Sequence, residues 1–112
     1  MATFQLSLLE EARDFLRDLP KQAHKKVLYN IWRVAEGEKN NELFKKLDNS
    51  DIWEFRTHYN GISYRLFAFW DTRERTLVVA THGIIKKTQK TPKKEIARAE
   101  AMMKLYFELK NR

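Results

Sequence analysis

The sequence predicts an α+β fold in the order βααβββα, a small, mainly antiparallel sheet with an N-terminal helical hairpin on one face and a C-terminal helix at its edge. Three observations carry this. Apolar residues recur at helical spacing from Leu9 to Ala35, broken only around Pro20. Period-two alternation runs through residues 52–58 and leads to Asn60-Gly61, a pair whose tolerance of positive φ suits a two-residue hairpin turn. After a cationic stretch, Thr91-Pro92 gives a cap-then-proline start to another helical pattern.

Taken in order, Thr3-Phe4-Gln5-Leu6 alternates polar and apolar and is expected as a short strand. Ser7-Leu8-Leu9-Glu10 fits a capping box, with Ser7 accepting from the first free amides and Glu10 reaching back, so a helix is expected to begin there. Leu9, Ala12, Leu16 and Leu19, with Phe15 beside them, form its apolar face. Pro20 suits the first turn of a second helix, whose apolar stripe is Val27, Leu28, Ile31, Trp32 and Ala35, and Gly37 supplies a left-handed stop. So short a connection makes the two helices antiparallel. Leu43, Phe44 and Leu47 then form a small apolar patch around Lys45 and Lys46.

On the first long strand, Trp53, Phe55 and Thr57 share one face and Glu54, Arg56 and His58 the other. Residues 63–70 fold back as its partner, with Tyr64, Leu66, Ala68 and Trp70 on one side and Arg65, Phe67 and Phe69 on the other, which suits a central position. Residues 77–82 are a third strand of similar character. Ile96, Ala99, Met103 and Tyr106 mark the buried face of the last helix, and Trp32, Trp53 and Trp70 are all expected in the core.

A chain of 112 residues fits one domain, 1–112, able to bury a modest core. Without cysteine there is no disulfide framework and no thiolate ligand or nucleophile. No signal-like or membrane-spanning apolar run is evident, so a soluble, cytoplasmic protein with no membrane partner is expected. A net charge of +7 and a pI near 9.7 point to an anionic partner. Much of the excess is local: between residues 86 and 98 stand six cations, Lys86, Lys87, Lys90, Lys93, Lys94 and Arg98, against one acid, Glu95. Like charges held within a Debye length of about 8 Å repel, and an anion relieves the repulsion. Lys93 and Lys94 also oppose the dipole of the helix they begin.

If Arg65 joins Arg56 and His58 on one sheet face and the turn at residues 86–90 closes over it, then Lys86, Lys87 and Lys90 converge there. Fixed cations so placed stabilise the charge that builds on a phosphate under attack by its adjacent 2′-hydroxyl. A histidine, or a lysine whose pKa is depressed by other cations, can move the protons. No metal or other cofactor is expected, because His24, His58 and His82 lack ligand spacing. The rival reading of Glu54 and Arg56 is plain cross-strand pairing of charges.

Ile52-Trp53-Glu54-Phe55-Arg56, Tyr64-Arg65-Leu66, the run His82-Gly83-Ile84-Ile85-Lys86-Lys87-Thr88-Gln89-Lys90-Thr91-Pro92, and the later Ile96 and Ala97-Arg98-Ala99 resemble the phage-derived HigB-like branch of the RelE/ParE toxin superfamily. The resemblance covers essentially the whole chain. It implies the RelE-like fold and a bacterial type II toxin; members with RelE-like activity cut mRNA in the ribosomal A site through 2′-hydroxyl attack, without metal. It also implies an antitoxin, often of helix-turn-helix type, with operator DNA bound only through the toxin–antitoxin complex. By position it implies groove arginines at Arg56 and Arg65, a basic turn at Lys86, Lys87 and Lys90, and the lysine before the first long strand at Lys46; the family varies at His58. With the charge pattern, the residues expected to be catalytic are Arg56, Arg65, Lys86, Lys87 and His58, and those expected to contact RNA are Lys45, Lys46, Lys90, Lys93, Lys94 and His82. Ile84 replaces the family's usual phenylalanine, and Tyr106, where relatives use a tyrosine or an acid in proton transfer, falls in the core stripe. Two other functions fit the same residues: a ParE-like gyrase inhibitor without nuclease activity, and a non-catalytic nucleic-acid-binding phage accessory protein.

Overall fold

The elements of a computed structural model, which describes residues 3–74, 76–86 and 90–111, follow the order βααββββα: β1 (Gln5–Leu8), α1 (Glu10–Arg17), α2 (Lys21–Ala35), β2 (Phe44–Lys46), β3 (Trp53–Tyr59), β4 (Ile62–Trp70), β5 (Leu77–Lys86) and α3 (Lys93–Lys110). The sheet order is β1-β5-β4-β3-β2, with β1 parallel to β5 and every other pair antiparallel. The strand absent from the expected order is β2. Its three residues are too few for a periodic signal, and they become a strand because Phe44 pairs with Phe55 and Lys46 with Trp53.

The Asn60-Gly61 turn forms as expected: both residues have positive φ, 52° and 78°, and Tyr59 pairs directly with Ile62. The capping box does not form. Ser7 and Leu8 continue β1 by pairing with Val79 and Ala80, and α1 starts after Leu9 without a side-chain cap. Parallel pairing to a buried strand outweighs one capping hydrogen bond, worth about 1 kcal/mol.

The helical hairpin covers one face of the sheet, where Ala12, Leu16, Ala23, Val27, Ile31 and Val34 meet Phe55, Leu66, Ala68 and Val78. Asn30 of α2 is buried there and donates to the Thr57 hydroxyl at 3.1 Å. Helix α3 lies across the opposite face rather than at the edge, because Phe67, Phe69 and Val79 form a second apolar surface that Ile96, Ala99, Met103 and Phe107 cover. Trp53 and Trp70 pack against the first core, but Trp32 is 56% exposed and Leu28 is also exposed. The buried stripe of α2 runs through Ala23, Val27, Ile31 and Val34, and Leu28 and Trp32 each lie one residue, about 100°, outside it.

A bulge in β5 sets which side chains reach which face. Ala68 pairs with Ala80 and Leu66 with Gly83, so two steps along β4 meet three along β5. The extra residue reverses the alternation beyond it. Gly83 therefore falls against the hairpin, where a Cβ would lie 2.2–2.5 Å from three ring atoms of Phe15. Lys86, paired with Ser63, is thereby turned to the α3 side.

The far end of α3 is fastened by Asp71, which is fully buried after β4. Its carboxylate accepts hydrogen bonds from Lys110 Nζ at 2.5 Å, the Tyr106 hydroxyl at 2.6 Å and the backbone amides of Arg73 and Glu74. Burial pushes this carboxyl up, but the four donors outweigh it and hold the group well below the usual carboxylate range. A depressed folded pKa gives stability that is full above the unfolded value of about 3.9 and lost as pH falls towards the folded one. Thermal melts from pH 7 to pH 2 should therefore show Asp71→Asn destabilised at neutral pH, by roughly 1–3 kcal/mol, with the gap to the native chain narrowing below about pH 4. In the same melts Gly83→Ala should cost about 1–3 kcal/mol, and adding Phe15→Leu should recover part of it.

Candidate active site

The α3 side of the sheet becomes polar beyond Phe67 and Ile52, and there Arg56 stands directly across from Arg65. Opposed like charges destabilise a strand pair. Glu54 resolves the conflict: its Oε1 lies 3.3 Å from Arg65 Nη1, which donates to it, and 3.4 Å from Arg56 Nε. The other oxygen, Oε2, accepts from the Thr91 hydroxyl at 2.6 Å, and Lys86 Nζ donates to that same Thr91 oxygen at 3.4 Å. Thr91 was expected to cap α3, but α3 begins without a side-chain cap and its hydroxyl is turned to Glu54.

The cluster is dry. Glu54 is 2% exposed, Arg65 3% and Lys86 5%, with Arg56 only partly covered. Burial is the main force lowering the pKa of Arg65, and the nearby Arg56 adds to it against the opposing pull of Glu54. Burial also lowers the pKa of Lys86, reinforced by Arg65 and Arg56 and opposed by Glu54. Three cations thus share one carboxylate. The Nε atoms of Arg56 and Arg65 are buried without a hydrogen-bond partner among the described residues, although Arg56 Nε keeps its ion-pair distance to Glu54.

Two depressions flank the cluster. One, of about 560 Å³, runs between β2–β3 and the start of α3; its lining sets four cations, Lys45, Arg56, Lys90 and Lys93, against three carboxylates, Asp48, Glu54 and Glu100, with Thr91 between them. The second, of about 390 Å³, is bounded by Arg56, His58, Ser63 and Arg65, with His58 Nδ1 3.2 Å from the Ser63 hydroxyl. Arg56 belongs to both. The structure therefore brings together Arg56, Arg65, Lys86 and His58, with Lys45, Lys90 and Lys93 along the rim.

Other expected residues fall elsewhere. Lys86 is a buried residue of β5 rather than a cation of the turn. Lys87 lies outside the described residues. Lys46 lines a separate depression with Asp48, Asp51 and Glu100, and Lys94 is exposed but lines none of these depressions. His82, expected among the RNA contacts, is buried beneath α3: its ring packs on Phe67, Nδ1 meets the Thr81 hydroxyl at 3.0 Å, and Nε2 meets Glu95 at 3.1 Å. Burial lowers its pKa, with Glu95 opposing. Tyr106 is committed to Asp71 and to ring contacts with Phe69 and Phe107, away from the cluster. Among the described residues no group of three His, Cys, Asp or Glu side chains is placed to hold a metal ion. No helix is long and apolar enough to cross a membrane.

The sequence drew attention to the cations and not to Glu54 and Thr91 as their organisers. The signal was the Glu54-x-Arg56 spacing on one strand face; the burial that makes this carboxylate decisive comes from β2, too short to be read as a strand, and from the start of α3, 37 residues on from Glu54 at Thr91.

The sheet order, the hairpin on one face and α3 on the other define a RelE-like α+β fold. The solved structure of a mutant of the E. coli toxin RelE in the free state superposes with a TM-score of 0.57 at 21% identity, over 74% of this chain and 82% of that one. The toxin–antitoxin complex RelBE2 from Mycobacterium tuberculosis gives 0.51 at 20% identity, over 79% of this chain and 97% of that one. At such identities the likeness is one of fold alone. Residues 14–104 match the family model described as phage-derived protein Gp49-like (DUF891), and the chain belongs to that family. No curated protein matches it.

Two measurements check the electrostatics of the cluster. Lysine side-chain NMR should find Lys86 titrating below the ordinary lysine value, and Arg65→Met should move it back up. Glu54→Gln, which leaves two guanidiniums and an ammonium without their shared carboxylate, should cost roughly 3 kcal/mol in denaturant melts.

Proposed function

We propose that the chain, as one domain over residues 1–112, is the toxin of a bacterial type II toxin–antitoxin system and acts as an endoribonuclease on mRNA held by the ribosome. The observation that carries this reading is the meeting of Arg56, Arg65 and Lys86 around the buried Glu54 beside a cationic groove. An RNA strand in the groove places a phosphate against the guanidiniums, with Lys45, Lys90 and Lys93 holding the flanking phosphates. The 2′-oxygen of the preceding ribose attacks phosphorus, the bond to the 5′-oxygen breaks, and the products are a 2′,3′-cyclic phosphate and a free 5′-hydroxyl. The arginines stabilise the extra charge on the non-bridging oxygens, held in place by Glu54 before substrate arrives.

Two groups in the cluster can carry protons: Lys86, with its lowered pKa, and His58, which borders the second depression beside both arginines. The scheme needs no metal. The fold relationship to a toxin solved with its antitoxin supports a cognate antitoxin as partner; its helix-turn-helix type rests on the family resemblance in the sequence alone. A cytoplasmic location follows from a ribosomal substrate.

Induced expression should arrest growth and leave cuts within translated messages; intact messages during arrest would point to a ParE-like action on gyrase instead. In purified translating ribosomes, Arg65→Met and Lys86→Met should each lower the cleavage rate by about a hundredfold while circular dichroism shows the fold retained. Undiminished cleavage in both variants would place the chemistry elsewhere.

A further inference from the structure

The helical hairpin and the cationic groove lie on opposite faces of the sheet, so the outer surface of α2 takes no part in the site above. This helix is apolar on two sides. Ala23, Val27, Ile31 and Val34 are buried against the sheet, whereas Leu28, Tyr29 and Trp32 stand outward at 41%, 52% and 56% exposure. Leu28 and Trp32 are one helical turn apart with Tyr29 beside them, so the three form one patch. A surface helix with a second apolar stripe has a face still to be covered.

What covers it is indicated by charge. Lys21, Lys25 and Lys26 stand on the N-terminal half of α2, where the helix dipole disfavours cations, and α2 contains no acidic residue. Arg33, at the other end, is already paired with Glu38 at 2.5 Å. A second copy of this chain would set lysine against lysine. Stacked RNA bases would need open ring faces, but Tyr29 is stacked on Trp32 at 5.9 Å, with Lys26 and Arg33 over its ring, and Leu28 offers no ring at all. We propose that the outer face of α2 docks an acidic amphipathic helix of a partner protein, its apolar side chains on Leu28 and Trp32 and its carboxylates on Lys25 and Lys26. Under the reading above, and resting on it, that partner is the antitoxin, which would then be held on the face away from the groove.

The probe is a synthetic helical peptide with Leu and Trp one turn apart and Glu on both flanks, titrated calorimetrically into the full chain. Binding should weaken about tenfold for Trp32→Ala and for Lys25→Glu with Lys26→Glu, and remain for Trp32→Phe and for Lys90→Glu with Lys93→Glu at the groove. Leu28 and Trp32 are exposed, so these variants should fold, which circular dichroism checks. No binding to the native chain overturns the proposal, as does loss of binding in the groove variant with the α2 variants unaffected. A short oligouridylate whose affinity falls with Trp32→Ala, while that of the peptide does not, assigns the face to RNA and overturns it too. Peptide docking on α2 in a protein that cuts no message would sink the nuclease reading and leave the docking surface standing.

Discussion

The charged cluster on the α3 side of this sheet depends on one buried carboxylate between two opposed arginines. Arg56 and Arg65 face each other across β3 and β4, an arrangement that costs stability unless an anion intervenes, and Glu54 intervenes from the same strand face. Thr91 fills the other carboxylate oxygen and so ties the start of α3 to the arginines. Lys86 joins through Thr91. The resulting cluster is desolvated and holds more positive than negative charge, a structural liability that a bound anion would relieve.

The bulge in β5 is what admits Lys86 to that cluster. Regular alternation from Val79 would have turned Lys86 to the hairpin side and Gly83 to the α3 side. One inserted residue exchanges them, giving the hairpin a position without a side chain, where Phe15 packs, and giving the site a third cation. Packing on one face and charge on the other are thus set by the same irregularity.

Much of this was legible in the sequence because it followed from period and from turn chemistry. Alternation assigned Arg56, His58 and Arg65 to one face correctly, and Asn60-Gly61 fixed the register that opposes the two arginines. What escaped depended on partners distant along the chain. The β5 bulge leaves no mark on the hydrophobic pattern, so Lys86 reads as part of a turn and His82 as the end of a strand in reach of RNA. On α2, Leu28 and Trp32 lie next to the true stripe, and apolar character alone did not distinguish the buried side from the outward one. Glu54 read as an ordinary charged partner because its burial is imposed by β2 and the start of α3.

The central claim is that this arginine pair serves a phosphate under attack by the neighbouring 2′-hydroxyl. The chemical ends left on a message cut by purified protein and translating ribosomes test it most directly. A 2′,3′-cyclic phosphate opposite a free 5′-hydroxyl is the expected result; a 3′-hydroxyl opposite a 5′-phosphate would mean that water or another nucleophile attacked, and would contradict it.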